Sequence, residues 1–151
     1  MDLQGPVRFM QMRNEIDIWN ILHDGDITAA EKGHNNSYTL FVSIPYLRRR
    51  LAPLGDSFVL ALKGVRQIAF QNFDGTISTI EDEMNLSTPE ILRTDSESMP
   101  ISVETTTGKL LLDFEGIEFR LDTGQPVDFE TLETVCRDYW DEWRKKSERK
   151  P

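Results

Sequence analysis

His23, Asp24 and Asp26 bring a histidine and two carboxylates together within four residues. An imidazole beside a carboxylate is suited to general-base work or to metal ligation. With Asp74 added, the set is a candidate hydrolytic site. A metal centre needs three or more converging ligands, and the other histidine, His34, falls in a polar stretch, so no metal set is expected. The alternative role for the same residues is structural. His23 would cap a helix end and Asp24-Gly25 would make the bend after it. Cys136 is the single cysteine, which excludes an internal disulfide and any multi-cysteine metal site. It falls between Leu132 and Trp140 on an apolar stripe, where a thiol is inert rather than nucleophilic.

Arg48-Arg49-Arg50, following Tyr46, could grip a phosphate, because guanidinium forks match phosphate oxygens. Adjacent arginines on a strand would point to opposite faces, so a solvated loop pairing with acidic residues is expected instead. Tyr139, Trp140 and Trp143 could form an aromatic interface, but their helical spacing fits core packing better. The chain contains no Gly-rich phosphate loop and none of the patterns G-x-S-x-G, H-E-x-x-H or EF-hand, and no cofactor is expected.

The charge is unevenly spread. The 151 residues carry a net charge of −9, and residues 77–127 hold 11 acidic against 3 basic residues. An acidic surface repels phosphate backbones, which disfavours nucleic acid, and steers in a basic protein partner. Glu81, Asp82, Glu83, Glu115 and Glu118 are the candidate binding residues in that segment. The plainer role for the acid is solubility. The longest apolar run, Phe58 to Leu62, is far short of the ~20 residues of a spanning helix, so no membrane role is expected. The first residues lack a basic start followed by an apolar stretch, so no signal peptide is expected, and the lone cysteine suits a reducing, cytoplasmic compartment.

The elements that would position these residues follow from periodicity. Ile16, Trp19 and Ile21-Leu22 suggest a short helix over 14–22. Asp26 to Glu31 suggests a strand. Tyr38 to Ile44 alternates with period two and ends at Pro45, as strands do. Phe58 to Leu62 and Val65 to Phe70 are strands around a turn or bulge at Gly64. Thr88-Pro89-Glu90 resembles a helix start within a polar stretch running from Ser87 to Met99. Ile101 to Leu121 predicts a three-stranded meander. Leu132, Val135, Cys136, Tyr139, Trp140 and Trp143 mark one face of a helix begun by Asp128, with a basic end at Arg144 to Lys150 that suits the helix dipole. Leu60-x-Leu62-x-Gly64-Val65 echoes Leu112-x-Phe114-x-Gly116-Ile117, which suggests a duplicated hairpin.

Together, Trp19-x-x-Leu22-His23-Asp24-Gly25-x-Ile27 and the strand series Tyr38 to Ile44 and Phe58 to Phe70 resemble a broad set of small bacterial proteins of uncharacterised function. Some of these are grouped with polymorphic-toxin immunity proteins. The resemblance covers residues 16–122 and leaves the C-terminal helix outside it. It implies an acidic cytoplasmic protein that binds a partner rather than turning over a substrate, and it carries no catalytic residues.

The expected fold is α+β: a mostly antiparallel sheet of six or seven strands with a long C-terminal helix packed on one face. One domain is expected over 1–151, with a loose arm over 1–14 and a frayed basic tail over 144–151. The expected function is a non-catalytic module, immunity-like by resemblance, that binds a basic protein. The alternatives are a small enzyme at His23, Asp24 and Asp26, or a homo-oligomeric accessory domain.

Overall fold

The computed structural model describes residues 14–148. The expected arm therefore lies outside the described residues except for Asn14, as do residues 149–151 of the expected tail. Helix α1 covers residues 14–21. Glu15, Ile18, Trp19 and Leu22 fall at i, i+3, i+4 and i+7, and all four are buried. The bend after them forms at Asp24-Gly25 with the roles divided differently from the expectation. Asp24 takes the positive φ of 70°. Gly25 supplies room, since a Cβ there would stand 2.6 Å from Val42 Cγ1 and 2.9 Å from the Leu22 carbonyl oxygen.

The strands are β1 (Asp26–Lys32), β2 (Tyr38–Ser43), β3 (Ser57–Lys63), β4 (Gln67–Asn72), β5 (Ile77–Ser78), β6 (Ile91–Thr94), β7 (Ile101–Thr105), β8 (Gly108–Asp113), β9 (Gly116–Leu121) and β10 (Pro126–Val127). They pair antiparallel in two five-stranded sheets, ordered β1-β2-β3-β9-β10 and β5-β4-β8-β7-β6. The class is the expected α+β with antiparallel strands and a long C-terminal helix. The strand count exceeds the expected six or seven because β5 and β10 have two residues each, too few to alternate visibly.

One bent ribbon joins the sheets. β3 runs on into β4 and β8 into β9, with Lys63 facing Gly116 on one side of the bend and Gln67 facing Asp113 on the other. Gly64 adopts φ 61° at the bend, where a Cβ would press on the Glu115 side chain at 2.6 Å. The two echoing segments are thus the two partner strands of this ribbon, not two copies of a hairpin. Each carries glycine where the ribbon turns from one sheet into the other. A second seam joins β1 to β6: Ile27 N–H donates to the Pro89 carbonyl (2.9 Å) and Ile91 N–H to that of Gly25 (2.8 Å). The inner faces of both sheets meet in a single core that includes Trp19, Phe58, Phe70, Phe114 and Leu132.

Two local expectations need correction. Arg48 is not in a solvated loop. It ends the one-turn helix α2 (Pro45–Arg48) and is fully buried, while Arg49 and Arg50 are exposed. Arg48 Nε and Nη2 both donate to Asp122 Oδ1 (2.9 and 2.7 Å), and the guanidinium also donates to the carbonyls of Ala52, Leu54 and Ser57. Nor does Thr88-Pro89-Glu90 start a helix. Helix α3 (Ile80–Leu86) comes earlier, begun by Thr79, whose hydroxyl accepts the Asp82 N–H at 3.1 Å. Ile80 and Met84, one turn apart, hold it to the core, and part of the stretch expected to loop out forms β6.

Helix α4 (Phe129–Glu148) begins as expected: Asp128 Oδ1 accepts the Thr131 N–H at 2.8 Å. Residues 144–148 of the expected tail continue this helix. Leu132 enters the core, and Val135, Cys136, Tyr139 and Trp140 are half-buried. Tyr139 stacks on Tyr46 of α2 (4.3 Å) and Trp140 on His23 after α1 (5.2 Å). No helix among the described residues is long and apolar enough to cross a membrane.

Candidate binding site

Glu15 is the unusual member of the α1 stripe. Its three companions, Ile18, Trp19 and Leu22, are apolar, yet Glu15 is only 9% exposed. No hydrogen bond or ion pair reaches its carboxyl among the described residues, and burial pushes its pKa from 4.5 up to about 7. Its Oε1 faces the start of β9, 3.9 Å from where a Cβ on Gly116 would stand. Between α1, β9 and the first residue of α4 lies a cleft of about 360 Å³. Glu15, Lys63, Glu115 and Glu118 line it with charge, and Ile117, Phe119 and Phe129 line it with apolar surface. Among the described residues, β10 pairs only with Phe119 and Arg120, so the cleft opens beside the uncovered start of β9.

Two of the five predicted binding residues belong to this cleft. Glu118 accepts from Lys63 Nζ at 2.5 Å, which holds its carboxyl below its ordinary value. Glu115 accepts from Arg66 Nη1 at 3.2 Å, and Arg66 also pairs with Asp113. Both carboxylates remain open, with side chains 59% and 68% exposed. The other three occupy the first turn of α3. Asp82 is exposed and Glu81 is partly covered. Burial first, and the Glu81 carboxylate second, push the Tyr38 phenol upward. Tyr38 pairs with Leu62, and Leu62 with Ile117. Tyr38, beside Glu81, therefore stands two strand spacings, about 10 Å, from Ile117 across the first sheet. Glu83 is 5% exposed and accepts from Ser87 Oγ at 2.6 Å, so it closes its own helix and faces no partner.

The acidic excess of residues 77–127 is also partly met by bases from elsewhere in the fold. Arg48 takes Asp122, and Arg66 takes Asp113 and Glu115. The negative face is therefore patchy rather than continuous, and Glu15, in the cleft, is a largely buried carboxyl with no ion pair among the described residues.

The histidine grouping does not converge. His23 Nδ1 lies 2.7 Å from the Asn20 carbonyl oxygen, in the helix-capping role, and its ring stacks on Trp140. Nε2 is 3.8 Å from Asp24 Oδ2. Asp26 faces Ser43 in β1 and bridges Glu90, and Asp74 caps its own turn through Thr76. No group of three histidine, cysteine or carboxylate side chains suited to a metal occurs among the described residues. Cys136 approaches the Ile21 carbonyl oxygen at 3.7 Å, and burial pushes its thiol upward, with the Trp140 indole offsetting part of the rise. That leaves little thiolate to act as a nucleophile.

Glu15 was missed from the sequence, although the signal was present: a carboxylate in line with Ile18, Trp19 and Leu22 on a short amphipathic helix. Comparisons with protein-family models, with curated proteins and with solved structures find no match.

Proposed function

We propose that this chain is a non-catalytic protein-binding module that presents an acidic face to a basic protein partner. The carrying observation is the cleft at the β8–β9 bend, where Glu15 is unpaired among the described residues and Glu115 and Glu118 remain mostly exposed. Exposed ion pairs contribute little to stability, so incoming cations displace Lys63 and Arg66 at small cost. The negative field speeds the encounter. The resemblance of the Trp19 to Ile27 opening to immunity-like bacterial proteins supports the same reading, and action in a reducing cytoplasm is part of it.

The test is capture on the immobilised full chain, elution along a salt gradient, and repetition with charge-reversed variants. A basic protein is expected to elute at moderate salt, and to be lost with Glu115→Lys/Glu118→Lys and weakened with Glu81→Lys/Asp82→Lys. Capture that ignores salt, or survives reversal, refutes the reading. One further observation favours self-association as a second reading. Phe73 and Ile77 are 78% and 59% exposed on the hairpin that carries the edge strand β5. Light scattering at high concentration tests it, and a monomer sinks it.

A further inference from the structure

The cleft has a definite chemistry. Its one deeply buried polar side chain is a carboxyl that has no donor among the described residues, nine-tenths removed from solvent and facing the bare backbone of Gly116. Lys63, the one cation lining the cleft among the described residues, is held by Glu118 and makes no pair with Glu15. That carboxyl has no cation to favour its ionised form, and a cation would arrive on a stem, because Ile117, Phe119 and Phe129 form the adjoining wall. The volume of about 360 Å³ lies at the small end of the range for ligand sites.

We propose that the cleft receives one arginine side chain of the basic partner, with the guanidinium on Glu15 and its stem against Ile117, Phe119 and Phe129. The proposal rests on the acidic-face reading for the identity of the partner. Two features favour arginine over lysine. A guanidinium lays two of its five N–H donors side by side on a single carboxylate and stacks on aromatic faces such as Phe119 and Phe129. An ammonium is a compact, more strongly hydrated point charge, so it loses more hydration on entry and cannot fork onto the two carboxyl oxygens. Glu115 and Glu118 at the rim add attraction without needing to move inward. The pairing also supplies a counter-charge to a largely buried carboxyl that has none among the described residues, so part of its desolvation is offset on binding.

The experiment uses the full chain, labelled for amide NMR, and a probe that isolates the head group. n-Butylguanidinium chloride is titrated against n-butylammonium chloride and sodium chloride at matched ionic strength. Saturable shifts are expected at the amides of Glu15, Gly116 and Ile117 with the guanidinium probe. At least about tenfold weaker binding is expected for the ammonium probe and for Glu15→Gln. Glu15→Gln keeps the shape, removes the ionisable group and puts an NH2 donor in place of one acceptor oxygen. Gly116→Ala is the second variant: among the described residues the lone heavy atom within 4 Å of a Cβ there is Glu15 Oε1, at 3.9 Å, so the methyl fits and crowds the approach to the carboxyl. Its expected effect is the same loss of binding with the rest of the spectrum unchanged. Equal binding by wild type and Glu15→Gln, or no saturable shift in wild type, overturns the arginine site. The acidic-face reading is decided separately by the salt gradient and the Glu115 and Glu118 reversals.

Discussion

Replacing Glu15 by glutamine should change how stability depends on pH, and the size of the change follows from the geometry. The carboxyl is buried on the apolar stripe of α1 with no donor among the described residues, and burial raises its pKa from 4.5 to about 7. In the unfolded chain the group ionises near its ordinary value. The native state therefore holds a proton that the unfolded state has released, and folding is favoured most at low pH. That advantage is fully present below the unfolded value of 4.5 and is lost as pH rises through the folded value of about 7. At about 1.4 kcal/mol for each pKa unit, the cost of ionising Glu15 is at most about 3–4 kcal/mol, and less where water from the open cleft reaches the carboxyl. The glutamine side chain has nothing to ionise, so its own packing cost is constant with pH. The assay is urea unfolding of both chains at intervals from about pH 5 to about pH 8. Subtracting the two curves cancels His23, His34 and every other shared group. The glutamine variant should gain on wild type steadily across that range, by about 1–3 kcal/mol, and level off above it. A flat difference from about pH 5 upward would mean that Glu15 titrates as a solvated acid. The claim that it is buried and unpaired would then fail, and with it the basis for an arginine site.

Asp122→Ala strands the fully buried Arg48 guanidinium without its counter-charge. The expected loss is about 3 kcal/mol, at the low end for buried pairs because Asp122 keeps a quarter of its surface. That corresponds to a melting point lowered by roughly 6–12 °C; a shift of a degree or two would show that Arg48 is held by its carbonyl acceptors alone. Trp140→Ala removes a half-buried ring stacked on His23 and edge-on to Tyr139 and Tyr46. It should cost about 2–3 kcal/mol, less than a fully buried tryptophan, and an unmoved denaturant midpoint would make α4 peripheral to stability. Gly25→Ala should cost about 1–3 kcal/mol, because the new methyl meets Val42 and the Leu22 carbonyl. An alanine variant with wild-type stability would show that the seam between the two sheets yields easily.

Some of this architecture is legible locally, because the signal repeats within one element. The face of α4 from Leu132 to Trp140 spans two turns, with Asp128 one residue before its start, while Trp143, expected to pack with it, is half exposed. Alternation marks β2, β3 and β8 because each buries one side: Leu40 and Val42, Phe58, Leu60 and Leu62, Leu110 and Leu112 are all in the core, and in β9 Leu121 is buried while Ile117 and Phe119 are partly buried. Helix α3 is harder to read. Seven residues offer only Ile80 and Met84 as a stripe, and the acidic turn between them looks like exposed surface. Its cap, Thr79, was there to be found. Arg48 is legible as a base but not as a buried one, since its partner Asp122 lies 74 residues away.

The sequence alone therefore determines the local elements: antiparallel strands broken at Gly64, Gly75 and Gly116, an amphipathic C-terminal helix, and an excess of acid in residues 77–127. Periodicity, turn residues and charge counts are properties of neighbours in the chain. Tertiary structure decides everything that depends on distant pairing. It sets β3 against β9 and β4 against β8, bends both strands at one place, and so makes two sheets from what reads as one. It turns Glu83 inward, leaves Glu115 and Glu118 open, and brings them to α1 beside Glu15. A carboxylate's burial and its lack of a partner depend on what the fold brings near it, and here Gly116 and Phe129 of the same cleft come from about a hundred residues further along the chain.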